Sequence, residues 1–142
     1  MVETQWDTTC PKFCKLIRQK IKEKDTYAKV AFASNLDETY LTSWKPGGTM
    51  IGASGRWASR VAKSGNDRMG WWSWIDMRGG KGRLIRVISA YRVSQDYPDK
   101  AGETTSCKQQ VMILMLKGIK HPNPKKCFLL DLSTMIKKLE RG

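Results

Sequence analysis

Cationic and aromatic side chains are interspersed between positions 56 and 72 of the 142-residue chain. Guanidinium and ammonium groups contact phosphate oxygens, and tryptophan rings stack on nucleic-acid bases, so this pattern predicts a nucleic-acid contact surface. With one later arginine, the predicted binding residues are Arg56, Trp57, Arg60, Lys63, Arg68 and Arg92. The alternative is that the tryptophans fill the core and the arginines form a solvated rim. Because side chains on a strand alternate between its two faces, Trp72 and Trp74 share one face, which favours a core position for one or the other. The pattern does not decide between core and surface for Trp57 and Trp71.

Few residues fit the common catalytic or metal-binding patterns. The chain has no Walker loop, dinucleotide fingerprint, nucleophile elbow or zincin helix. Its one histidine, His121, lies beside a Pro-Asn-Pro turn with no acidic neighbour in sequence, as expected of a loop residue rather than a general base. The four cysteines include no Cys-x-x-Cys pair, so we expect thiols that mostly serve packing rather than a structural zinc site.

The charge of the chain points to an anionic partner. Lysine and arginine total 26 against 13 acidic residues, a formal charge of +13. Such a charge concentrates polyanions around a protein and predicts a nucleic-acid partner, although a solvated basic surface without a specific ligand is the alternative. No apolar run approaches the ~20 residues of a spanning helix, and no secretory pattern opens the chain. We therefore expect no membrane partner and an intracellular protein, nuclear or cytoplasmic.

The elements that must position these residues follow from periodicity and turn residues. The predicted elements are helices over 11–24, 106–116 and 128–139, and strands over 28–33, 49–53, 72–77 and 83–91. This order indicates an α/β fold. The strand over 83–91 is apolar on both faces, which predicts an interior position in a sheet covered on both sides.

Five ordered motifs carry a resemblance to a known family. They are Lys45-Pro46-Gly47-Gly48-Thr49, then Gly55-Arg56-Trp57, Trp72-Ser73-Trp74-Ile75, the segment from Val87 to Val93, and Gln109-Gln110 with Phe128-Leu129-Leu130-Asp131-Leu132. In this order they resemble the first half of the endonuclease/exonuclease/phosphatase superfamily, the exonuclease III and deoxyribonuclease I fold, in its retroelement-associated form. The resemblance implies a partial two-sheet α/β sandwich of the deoxyribonuclease I-like type, with residues 1–142 forming a single partial domain.

The resemblance also implies two active-site positions. Glu3-Thr4-Gln5-Trp6 looks like a shortened form of the family motif whose glutamate binds magnesium, so Glu3 is implied as a catalytic residue and a Mg²⁺ ligand. In the family an Ala-Tyr strand end brings a tyrosine to the phosphate. Tyr91, at the end of the predicted strand over 83–91, fits this position and is implied as the second catalytic residue. The alternatives are a frayed terminal carboxylate for Glu3 and a half-buried strand aromatic for Tyr91.

Departures from the family pattern shape the predicted function. The family's first strand, its Gly-Asp-x-Asn segment and its late Asp-His pair have no counterpart here, and hydrolysis needs an oriented water and a general base besides the metal. We therefore expect a truncated domain of a mobile-element protein, inactive alone, whose intact parent would hydrolyse phosphodiesters. The alternatives are a non-catalytic basic module that binds RNA or DNA and a ribonucleoprotein subunit.

A half-domain would leave the apolar strand around Leu84 to Ile88 exposed to solvent on at least one face. This exposure predicts that the isolated chain self-associates or is only marginally stable.

Overall fold

A computed structural model describes residues 11–33, 48–93 and 105–140. In chain order the elements are helix α1 (Pro11–Lys24), strands β1 (Lys29–Ala33), β2 (Thr49–Ala53), β3 (Val61–Asn66), β4 (Trp72–Arg78) and β5 (Leu84–Ala90), and helices α2 (Thr105–Leu116) and α3 (Pro124–Glu140). Short 3₁₀ turns cover Gly55–Arg60 and Gly80–Gly82. The chain divides into two compact units, and the described residues up to Tyr91 belong to the first and those from Arg92 onward to the second.

Helix α1 has the bounds that its sequence predicts. Apolar side chains recur every four positions at Phe13, Ile17 and Ile21, which gives an amphipathic helix. Lysines in the last turn complement the negative end of the helix dipole. The helix ends at Lys24, and the backbone N–H of the next residue, Asp25, donates to Ile21 O at 2.9 Å.

Two small antiparallel sheets follow α1 in the first unit, which confirms the mixed α/β class. Strand β1 pairs with β2, with Lys29 opposite Ala53. The second sheet has the order β3-β4-β5, and Trp72 lies opposite Ala90. Strand β3 was not predicted, because its sequence Val-Ala-Lys-Ser-Gly-Asn has few residues that favour strands.

The first unit has three layers. Strand β1 contacts β3 and β4, and β2 contacts β4 and β5, so the two sheets pack face to face. Their core consists of buried Ala31, Val61 and Ile75 with Ile51, Ala53 and Met77 packed around them. Helix α1 lies on the other face of the β1–β2 sheet, where the Arg18 guanidinium is 5.0 Å from the centre of the Phe32 ring. Met50 and apolar residues of α1 line a cleft of about 990 Å³ between these layers.

The predicted interior position of β5 is wrong for the described part of the chain. The strand lies at the edge of its sheet, and Leu84, Ile85 and Val87 are 59%, 57% and 41% exposed. Its apolar residues therefore leave an open surface rather than one covered on both sides.

The second unit contains the contacting helices α2 and α3. In α2, Cys107, Ile113 and Leu114 are buried. Helix α3 begins four residues before its predicted start because Asn123 caps it: its Oδ1 accepts a hydrogen bond from Lys126 N at 3.1 Å. Pro124 occupies the first helical turn, where a missing N–H costs little. None of the helices in the described ranges is long and apolar enough to cross a membrane.

Candidate nucleic-acid interface

The 3₁₀ turn Gly55–Arg60 connects the two sheets and is fixed at its start by Asp25. The Asp25 carboxylate accepts hydrogen bonds from Tyr27 N at 3.0 Å and from Gly55 N. Gly55 has φ +56°, a conformation that residues with a Cβ rarely adopt. The first turn closes when Trp57 N donates to Ser54 O at 3.2 Å. Asp25 thus holds the turn at a defined place beside the end of α1.

Three predicted binding residues meet on this turn. The guanidinium carbons of Arg56 and Arg60 lie 5.2 and 5.3 Å from the centre of the Trp57 ring, within cation–π range. Trp57 is 48% exposed, whereas Ala58 beside it is 1% exposed and anchors the turn. We call Arg56, Trp57 and Arg60 the arginine–tryptophan cluster.

The cluster is cationic and open to solvent. Arg56 and Arg60 are both exposed, and within the described ranges neither has a carboxylate at ion-pair distance. A guanidinium offers five N–H donors. The arrangement can therefore contact phosphate oxygens while the tryptophan ring provides an apolar surface for a base.

The other predicted binding residues are exposed but lie elsewhere. Lys63 follows the turn on β3, opposite Asp76 of β4. Arg68 lies in the β3–β4 turn, at the other end of β3. Arg92 belongs to the second unit. The structure thus brings Arg56, Trp57 and Arg60 together, and Lys63 is their neighbour in sequence.

The structure describes one of the two implied catalytic residues, Tyr91. Glu3 lies outside the described residues. Tyr91 is half-buried directly after β5, and its backbone N–H donates to Trp71 O at 2.8 Å. Across the described ranges no group of three or more His, Cys, Asp and Glu side chains could hold a metal ion. Magnesium binding remains a prediction from the resemblance.

The tryptophans divide between core and surface. Trp71 and Trp72 are 1% and 6% exposed, so they serve the core. Trp74 is half-buried and covers Gly65 on the neighbouring strand, where a Cβ would lie 2.5 Å from its Cζ2 atom. Of the tryptophans in the described segments, Trp57 is therefore the one available to a ligand.

Sequence reasoning missed a stack of side chains on the β3-β4-β5 sheet. Arg86 lies 3.7 Å above the Trp74 ring and donates two hydrogen bonds, of 2.6 and 2.7 Å, to the carboxylate of Asp76. These hydrogen bonds raise the pKa of Arg86 against the opposing effect of burial. The register could have revealed the pair, since Asp76 and Arg86 are directly opposite on antiparallel strands. Arg86 is consequently engaged within the fold rather than available to phosphate.

Comparisons of the chain with protein-family models, with curated proteins and with solved structures found no match in any of the three. The described residues define a mixed α/β chain whose cationic, aromatic surface lies on the connection between two antiparallel sheets.

Proposed function

We propose that this chain is a non-catalytic domain that binds nucleic acid through the arginine–tryptophan cluster. The observation that carries the proposal is the half-exposed ring of Trp57 with the guanidiniums of Arg56 and Arg60 beside it. A ring enclosed only for packing would be buried, as Trp71 is.

The physical basis is a combination of charge and stacking. Each guanidinium that reaches a phosphate releases counterions, which gives affinity with little dependence on sequence. Base stacking on an aromatic side chain adds about 1–3 kcal/mol per base and also tolerates any base. The formal charge of +13 concentrates the polyanion around the whole chain. The proposed binding is therefore salt-dependent and only weakly sequence-selective.

The charge component is tested by replacing Arg56 and Arg60 together with glutamine. Fluorescence anisotropy with random single-stranded and duplex oligonucleotides would measure affinity between about 50 and 200 mM salt, a range over which wild-type affinity should fall ~10³-fold. The double variant should bind more weakly, with a slope of log affinity against log salt reduced by about two. The matched control is Lys81→Gln with Arg83→Gln, which removes the same charge from exposed positions on the β4–β5 turn.

The aromatic component is tested separately at Trp57. Trp57→Ala should weaken binding by roughly 5- to 150-fold, the equivalent of 1–3 kcal/mol of lost stacking, without changing the salt slope. Trp57→Phe, which keeps a ring, should retain part of that affinity. Equal losses in the cluster variants and in the Lys81/Arg83 control would show that only total charge matters and that the cluster is not the binding surface.

We further propose that the domain belongs to the endonuclease/exonuclease/phosphatase superfamily and comes from a mobile-element protein. Support comes from the five ordered motifs in the sequence and from the arrangement of a helix and two packed antiparallel sheets. A longer chain that also carried the remaining motifs of this superfamily would hydrolyse phosphodiesters with a divalent metal. A longer reading frame containing a downstream Gly-Asp-x-Asn segment would support this origin, and an in-frame stop codon after Gly142 would favour the basic binding module.

A further inference from the structure

Helix α3 carries an apolar stripe with the spacing of a coiled-coil seam. Leu129, Leu132, Ile136 and Leu139 are separated by three, four and three residues, so they lie along one side of the 17-residue helix. Leu129, Ile136 and Leu139 are 50%, 42% and 41% exposed, and Leu132 is half-buried. The stripe is thus substantially open to solvent.

The residues beside this stripe indicate what would cover it. Lys126, Ser133 and Glu140 are exposed and lie one heptad apart, so they occupy the same flank of the seam. When two such helices run antiparallel, equivalent flank positions face each other in reverse order. Lys126 of one copy then lies beside Glu140 of the other at both ends, and Ser133 meets its counterpart in the middle. This arrangement places opposite charges together twice.

A parallel pair would have no such complementarity. In a parallel coiled coil, each residue of this flank faces a residue on the opposite flank of the partner helix. Ser133 would then face Phe128, and Glu140 would face Met135. The charges of α3 therefore favour an antiparallel partner with the same sequence.

We propose that α3 associates with α3 of a second copy of the chain as an antiparallel helix pair. The seam residues pack across the pair, with Leu129 against Leu139 and Leu132 against Ile136, while Lys126 and Glu140 form symmetric ion pairs. The proposal is independent of nucleic-acid binding, because it uses no residue of the arginine–tryptophan cluster.

The open edge strand β5 is a less suitable surface for a second copy. The β4–β5 hairpin exposes Arg78, Lys81 and Arg83, and its one acidic residue, Asp76, is engaged by Arg86. Two copies approaching through this hairpin would bring like charges together. Helix α3 avoids that repulsion because each copy supplies both charges of the pair.

The expected assembly is a weak, concentration-dependent dimer. One pair of helices of this length buries less surface than the ~1,600 Å² of a standard stable interface, and each chain carries +13 charges. Sedimentation equilibrium of the full chain would measure its dissociation constant.

Charge reversal provides the sharpest test. Lys126→Glu or Glu140→Lys alone would place like charges together at both ends of the pair and should raise the dissociation constant roughly tenfold. The double variant Lys126→Glu with Glu140→Lys should restore the wild-type value. Lys138→Glu is the matched control, since Lys138 is exposed on the opposite side of α3 from the seam and should have no comparable effect.

A second set of variants separates α3 from β5. Ile136→Asp should weaken dimerisation at least ~100-fold, whereas Leu130→Asp, exposed but off the seam, and Ile85→Asp on β5 should leave it within a few-fold of wild type. Circular dichroism would establish that each variant is folded. A wild-type chain that stays monomeric at millimolar concentration, a double charge variant that is not restored, or a dimer lost only in Ile85→Asp would overturn the proposal.

Discussion

At the scale of single residues, Arg86 links a buried carboxylate to an aromatic ring. It satisfies the carboxylate of Asp76, which is 6% exposed, and covers the Trp74 ring. Arg86→Met would retain much of the apolar contact but leave a buried carboxylate without its partner. We expect a loss of about 3–5 kcal/mol in the free energy of unfolding, measured by urea denaturation.

Two further variants of this stack give a matched comparison. Asp76→Asn with Arg86→Met should recover part of the lost stability, because no buried charge is then left unpaired. Arg83→Met, exposed on the same hairpin, should change stability by less than about 0.5 kcal/mol. If Arg86→Met is as neutral as Arg83→Met, the ion pair has no structural role. Sequence alone did not predict this stack, since it depends on the strand register that the Gly79 to Gly82 turn sets.

At the scale of elements, Gly65 helps to explain how β3 forms from a polar sequence with few residues that favour strands. The Trp74 side chain crosses from β4 over the bare backbone of Gly65, so the strand gains an aromatic cover in place of its own side chain. Gly65→Ala would force the ring away, at a cost of about 1–3 kcal/mol in the free energy of unfolding. Gly80→Ala is the control, because a Cβ there meets no atom within 4 Å. Equal stability of the two variants by thermal or urea unfolding would show that Trp74 moves freely.

The elements that sequence predicted well are those with a strong local signal. Helix α1 follows directly from its apolar period and Pro11, and β4 from its alternating tryptophans. Strand β3 and the edge position of β5 depend on which strands pair, and apolar periodicity does not encode pairing. For the candidate site, composition identified the cluster of Arg56, Trp57 and Arg60. It could not separate exposed Trp57 from buried Trp71, because each lies within three residues of an arginine in the sequence.

At the scale of the whole molecule, we predict that the 142-residue chain has no magnesium-dependent nuclease activity. Its one histidine, His121, is exposed in the second unit, and the sequence has no counterpart of the Asp-His pair found in the superfamily that it resembles. Loss of a general base alone costs ~10²- to 10⁴-fold in rate. Supercoiled plasmid incubated with Mg²⁺ should remain uncut while still being bound. Nicking that requires magnesium and disappears in Glu3→Gln would contradict the prediction and assign Glu3 a catalytic role.

The uneven burial of the tryptophans has an optical consequence. Indole emission shifts to longer wavelength in water, so the half-exposed ring of Trp57 should emit differently from the enclosed rings of Trp71 and Trp72. The difference between the spectra of the wild-type chain and Trp57→Phe isolates the light from that one position. A base stacked on Trp57 would quench the emission of that ring and leave the emission of the enclosed rings unchanged. Binding at the proposed surface could therefore be followed by the intrinsic fluorescence of Trp57, without a label.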